Sequence, residues 1–171
     1  MLIYFFRHGI ADDRADPDCP PDFERGLTEV GRKRTRFAAQ GLQSLEVEPQ
    51  AIWTSPYVRA RQTAEIAAEV LIGAKADLHV TESLEPHRDP EELFVELGEA
   101  GLDLLLCVGH APQLDLALAY GVGAPDAYLI RLKKAGAACV EWPGARHGEG
   151  RLVWLMPPKV LRRLGGGDEA V

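Results

Sequence analysis

Four short apolar runs, Leu2–Phe6, Ala51–Thr54, Leu78–Val80 and Leu102–Val108, alternate with segments that carry helix signals, and this alternation restricts the fold more than any other feature of the chain. The runs are brief, rich in β-branched, aromatic or aliphatic residues, and closed by polar, Gly or Pro residues, which is the pattern of buried strands. Parallel neighbours in a sheet need a crossover connection, usually a helix. Strand and helix in alternation therefore predict an α/β three-layer sandwich, with a mostly parallel central sheet flanked by helices.

The helix signals are specific. Thr28 is placed to cap a helix reaching about Leu45, with Val30, Phe37, Ala38, Leu42 and Leu45 near one face, although Gly31 and Gly41 weaken it. Ser55-Pro56 reads as a second start, because serine accepts orphan amide hydrogens at a cap and proline at the first helical position has no amide hydrogen. That helix should run to about Leu71. Asp89-Pro90-Glu91-Glu92 opens a third, with acids in the first turn where the helix dipole favours them, leading into Leu93–Leu97. A fourth, from Pro112, should stop near Gly121.

After Gly123 the pattern changes. Tyr128–Leu132, Ala137–Trp142 and Arg151–Met156 read as strands joined by a Lys133–Gly136 turn and a Gly144–Gly150 loop, paired antiparallel at the sheet edge. Gly165-Gly166-Gly167 and the acidic end read as a flexible tail, so residues 1–160 are expected to form one domain and 161–171 a tail.

A chain of 171 residues, 46% hydrophobic, has enough apolar material for one core; at this size folding buries roughly 70% of the unfolded surface, so neither disulfides nor a metal is needed. Cys19, Cys107 and Cys139 are scattered and have no C-x-x-C spacing, which argues against a disulfide framework or zinc site and for reduced thiols. The first apolar run meets Arg7 too soon to be a signal peptide or membrane span, and a cytoplasmic location is expected. The formal net charge of −7 disfavours nucleic acid or an anionic membrane as a partner. Any anion site must be local.

Two apolar runs deliver a histidine where strand gives way to loop: the first ends in Arg7-His8-Gly9, the fourth in Gly109-His110. Ligands of open α/β sheets bind outside the carboxyl ends of the strands, and glycine lets backbone approach them closely. The run Ala51–Thr54 ends at Ser55-Pro56-Tyr57-Val58-Arg59, placing an arginine in the first turn of a helix at the same sheet edge. Free amides, helix dipole and guanidinium then converge on one anion. Arg32, Arg34, Arg36 and Arg61 read instead as solvated helix residues.

In order along residues 1–120, Arg7-His8-Gly9, Arg25-Gly26-Leu27-Thr28 with Gly31, Ser55-Pro56-x-x-Arg59-Ala60-x-Gln62-Thr63-Ala64 and Val108-Gly109-His110 resemble the histidine phosphatase superfamily, also called phosphoglycerate mutase-like. The resemblance implies that His8 attacks phosphorus and is transiently phosphorylated, that Arg7 and Arg59 bind phosphoryl oxygens, and that His110 stabilises the transferring group. It also implies phosphate contacts from Arg25 and from Gly9, with no metal and no cofactor. Arginine suits the task because its planar fork binds two oxygens at once and stays charged, and a neutral imidazole is a competent nucleophile near pH 7.

The short span between Asp77 and Asp103, the Arg25 motif, His110-x-Pro112 and Leu84-x-Pro86 look most like the compact phosphohistidine phosphatase branch. The expected substrate is a phosphohistidine-bearing protein; alternatives are a small phosphate ester and, further off, phosphoglycerate isomerisation. Family members acting on esters carry an acid for the departing oxygen. Glu82 is the candidate here, with Glu85 second, and a phosphoramidate substrate would make such an acid dispensable. His79, His87 and His147 read as surface or loop residues, with His87-Arg88 near the rim, and Trp53, Trp142 and Trp154 as core. The acidic stretch Asp12–Asp22 reads as a loop that shapes partner choice or is simply solvated.

Overall fold

The structure, a computed structural model, describes residues 1–73, 77–124, 130–144 and 148–167. Strands β1 (Leu2–Arg7), β2 (Ala51–Thr54), β3 (Leu78–Val80) and β4 (Leu104–Gly109) alternate with helices α1 (Glu29–Ser44), α2 (Val58–Leu71) and α3 (Pro90–Glu99). Then follow α4 (Gln113–Val122), β5 (Ala137–Glu141), β6 (Arg151–Met156) and α5 (Pro158–Leu164). They form one six-stranded sheet in the order β3-β2-β4-β1-β5-β6. The first four strands are mutually parallel, while β5 and β6 pair antiparallel at one end. The α/β sandwich expected from the sequence is what is seen.

The apolar runs are continuous because both faces of the sheet are covered. Alternate residues go to opposite layers. Ile3, Phe5, Leu105 and Cys107 pack with Leu93, Phe94 and Leu97 of α3 and Leu114 and Leu118 of α4. Tyr4, Phe6, Leu106 and Val108 pack with Ala38 and Leu42 of α1, Ala60, Ala64 and Ala67 of α2, and Leu161 of α5. Trp53 and Trp142 are buried as expected, and Trp154 is partly buried.

Several expectations are corrected. Thr28 does cap α1, its Oγ1 accepting from Gly31 N at 2.9 Å, but Val30 is exposed and the buried face is Gly31, Thr35, Ala38, Ala39 and Leu42. The two glycines that lower its helix propensity permit close packing: a Cβ on Gly31 would lie 2.0 Å from Ile10 O, and one on Gly41 2.0 Å from Leu161 O. Ser55 Oγ accepts from Tyr57 N at 3.3 Å, but α2 begins later than expected, at Val58, and its N-cap residue is Tyr57, which makes no side-chain cap.

Of the proposed strand Tyr128–Leu132, Tyr128 and Leu129 lie outside the described residues, and Ile130–Leu132 are irregular. His147 also lies outside them. Where a tail is expected from residue 161, α5 runs through that boundary, buries Leu161 against α1, and is followed by Gly165 and Gly167 packed on Phe37. A seven-residue helix is too short to announce itself by periodicity, and the glycine run disguised its packed end. Among the described residues no helix is long and apolar enough to cross a membrane.

Candidate active site

Strand register assembles the site. Arg7 of β1 pairs with Gly109 of β4, and Thr54 of β2 with Val108, so three strands end side by side. The next residues inherit that alignment: His8 N donates to Gly109 O at 3.0 Å and Ser55 N to Val108 O at 3.1 Å. The His8 and His110 rings consequently stand 4.9 Å apart, centroid to centroid.

His8 is 5% exposed, and its Nδ1 lies 2.7 Å from Gly9 O. A carbonyl only accepts, so Nδ1 carries the proton and Nε2 presents a lone pair. Burial pushes the imidazole pKa down to about 3, the Gly9 carbonyl opposes this, and Arg59, Arg7 and Lys134 add to it. The ring is neutral at any physiological pH. Arg59, also buried, donates from Nε to His8 Nε2 at 3.4 Å.

His110 is buried too, its Nε2 is 3.0 Å from Ser55 Oγ, and Tyr57 packs edge-on at 5.0 Å. Burial, and then the proximity of His8 and the arginines, holds His110 far below its ordinary pKa. Arg7 donates from Nη1 to Leu132 O at 2.7 Å. Among the described residues, Arg7 Nε and His110 Nδ1 are buried polar atoms with no hydrogen-bond partner. Such atoms are costly unless something completes them.

Arg25 arrives by a stitched loop. Thr28 N donates to Ile10 O and Asp12 N to Gly26 O, each at 3.0 Å, while Leu27 N donates to Gln62 Oε1 of α2 at 2.7 Å. The stitching sets the segment of Arg25 against the loop that follows His8. All of these face a cavity of about 640 Å³ lined by Arg7, His8, Arg14, Arg25, Arg59, His110 and Lys134, with Asp12 and Asp13 the carboxylates among its lining residues. The local surplus of cations reverses the sign of the whole chain. His87 lines the same cavity, as expected of a rim residue.

Both candidate acids lie away from this cavity, and the Gly9 amide is bound within the protein. Glu82 is exposed, ion-paired with Arg88, and lines a different recess with Trp53, His79 and Glu96. Glu85 is also drawn toward Arg88, at 3.8 Å. Glu82 opens and Glu85 follows the Thr81-capped 3₁₀ turn Glu82–Leu84, which directs Ser83 and Leu84 inward instead. Gly9 does not offer its amide to a ligand: its N–H donates to Thr63 Oγ1 at 3.1 Å, and a Cβ there would lie 2.2 Å from Thr35 Oγ1.

The site also contains residues to which the sequence assigned no role in it. Ser55 Oγ lies 3.0 Å from His110 Nε2 and also accepts from Tyr57 N at 3.3 Å. Lys134 lies in the turn whose Ala135 N–H donates to Arg7 O at 3.1 Å and His8 O at 3.2 Å. Asp22 joins Arg14, Arg25 and Arg59. Only the D-x-x-R spacing of Asp22 and Arg25 hinted at the last of these.

Residues 3–85 match the histidine phosphatase superfamily (branch 1). An uncharacterized protein of Picosynechococcus sp. is 41% identical over 170 residues, covering 94% of this chain and 99% of that one. The phosphohistidine phosphatase SixA of Escherichia coli is 24% identical over 165 residues, covering 95% and 97%. A solved structure of the protein histidine phosphatase SixA complexed with tungstate superposes with a TM-score of 0.82 at 26% identity, covering 94% of this chain and 99% of that one. Sequence and fold thus agree with the strand-end histidines and arginines: the chain belongs to the histidine phosphatase superfamily, branch 1.

Proposed function

We propose that this phosphatase hydrolyses phosphohistidine in a partner protein, with His8 as its nucleophile and no metal. The observation that carries the substrate assignment is the position of Glu82, paired with Arg88 outside the cavity that holds His8. An alkoxide needs a proton in order to leave. A phosphoimidazolium already protonated on its other nitrogen leaves as neutral imidazole and needs none. The likeness to SixA proteins points the same way.

In the first step the His8 Nε2 lone pair attacks phosphorus, the P–N bond of the substrate breaks, and the substrate imidazole departs with that electron pair. The proton on His8 Nδ1 stays hydrogen-bonded to Gly9 O throughout. In the second step water attacks phosphorus, the bond to Nε2 breaks, and His8 returns to the neutral form as inorganic phosphate carries off the water's oxygen and protons. Arg7 and Arg59 offset charge on the equatorial oxygens, and an oxygen in the cleft would complete the unpartnered Arg7 Nε. Ser55 donating to His110 Nε2 leaves its Nδ1–H for another.

Phosphate release measured in parallel on a phosphohistidine-bearing protein and a simple alkyl phosphate, each with a His8→Ala control, tests this reading. The expected result is a higher kcat/KM on the phosphohistidine protein, abolished by the substitution. Faster turnover of the alkyl phosphate would assign the site to small phosphate esters.

A further inference from the structure

One carboxylate in the loop between β1 and α1 holds three of the arginines around the cavity. Asp22 Oδ1 accepts from Arg25 Nε at 2.9 Å and pairs with Arg25 Nη2 at 2.9 Å. The same oxygen accepts from Arg14 Nε at 2.9 Å and pairs with its Nη2 at 2.8 Å. Oδ2 accepts from Arg59 Nη2 at 3.2 Å, and the Asp22 carbonyl accepts from Arg59 Nη1. The loop itself is pinned to α2, where Val58 N donates to Phe23 O at 3.0 Å. Burial pushes the Asp22 carboxyl up, but Arg59, Arg25 and Arg14 outweigh it and hold it below its ordinary range.

The division of donors on Arg59 gives the arrangement its meaning. Its outer nitrogens are bound by Asp22, while its Nε is turned to His8 Nε2. Arg25 is fixed likewise, with Nε and Nη2 on Asp22 and Nη1 on Asp12 O. Guanidinium groups this close repel one another, and Arg59 is 2% exposed, so without a counter-charge they would spread or draw in water. Asp22 is not among the residues lining the cavity, which keeps it off the transferred group.

We propose that Asp22 is a positioning residue, whose carboxylate presets Arg25 and Arg59 as a phosphoryl cradle before substrate arrives. The proposal rests on the reading of His8 and the arginines as a phosphoryl site, and not on which phosphate compound is the substrate. Phosphoryl transfer depends on cations already in place, so the effect belongs to kcat as well as to binding. Because Asp22 acts through the arginines, its loss should slow every substrate by a similar factor.

The test compares wild type with Asp22→Asn, Asp22→Ala and Asp22→Glu by tungstate affinity in calorimetry and by kcat and KM on whichever phosphate compound is turned over. Asp22→Asn and Asp22→Ala are expected to lower kcat about 30-fold and to weaken tungstate roughly tenfold, with Asp22→Glu recovering part of both. In an Arg25→Ala background the Asp22→Ala loss should shrink, since the two act as one unit. Asp22 has a side chain 40% exposed, so the near-isosteric Asn variant is read even where the Ala variant melts early. An Asn variant within twofold of wild type in both readouts overturns the proposal. So does one that binds tungstate more tightly, which would make the carboxylate a competitor of the phosphoryl group. Tungstate affinity needs no turnover, so these outcomes are separate from a failed phosphohistidine assay.

Discussion

Arg59 Nε stands 3.4 Å from His8 Nε2, the atom that would take the phosphoryl group, and the arginine that reaches it is 2% exposed. The register of β1, β4 and β2 brings His8 to the same strand-end platform as α2's first turn, and Asp22 holds the far side of the guanidinium. Arg59→Lys should therefore lower kcat/KM by about 10²- to 10³-fold, because a point charge cannot face His8 and Asp22 at once. Steady-state kinetics checks this; a loss under fivefold would mean that charge alone suffices.

Acid should destabilise the fold through His8. Its folded pKa of about 3 lies below the ordinary 6.5, so between those values the unfolded chain binds the proton that the native one excludes. Stability is fully present above 6.5 and falls on acidification by about 1.4 kcal/mol per pH unit for this one group. His8→Ala should flatten that slope between pH 7 and pH 5 in urea unfolding. An unchanged slope would show that His8 is not the group responsible.

Glu82→Gln should leave kcat/KM within about twofold, as expected of a surface substitution away from the reacting atoms. The measurement is phosphate release from a phosphohistidine protein. A loss of tenfold or more would restore Glu82 as the acid that its place in the sequence suggested.

Gly41→Ala should destabilise by about 2 kcal/mol, the overpacking penalty exceeding the gain in helix propensity. The added methyl would meet Leu161 O of α5 at 2.0 Å, and backbone cannot turn aside as a side chain can. Chemical denaturation measures the change; a stabilised variant would mean that α5 does not pack on α1.

The strand and helix pattern was legible because burial on both faces of a parallel sheet writes itself as unbroken apolar runs, and because caps such as Thr28 and Asp89 are local chemistry. The convergence of His8, Arg7, Arg59 and His110 was legible as well, since each stands at a strand end or, for Arg59, in the first turn of the helix that follows one, and parallel strands with crossovers must end at one edge. Arg25 was readable from its motif, although only the stitching of residues 10–12 to 26–28 explains how it reaches the others.

Fold class, the strand-end histidines and arginines, and the family resemblance are all carried by local pattern and motif in the chain. Direction and partnership were decided by tertiary structure. Ser55 bonds His110 as well as the amide of Tyr57 at the helix entry, Glu82 turns to Arg88 instead of the cavity, and Gly9 donates to Thr63. Asp22 looked like one solvated acid among several and binds three arginines. In each case the deciding contact joins segments distant in the chain or a side chain whose rotamer depends on its neighbours, and neither leaves a periodic trace in the sequence.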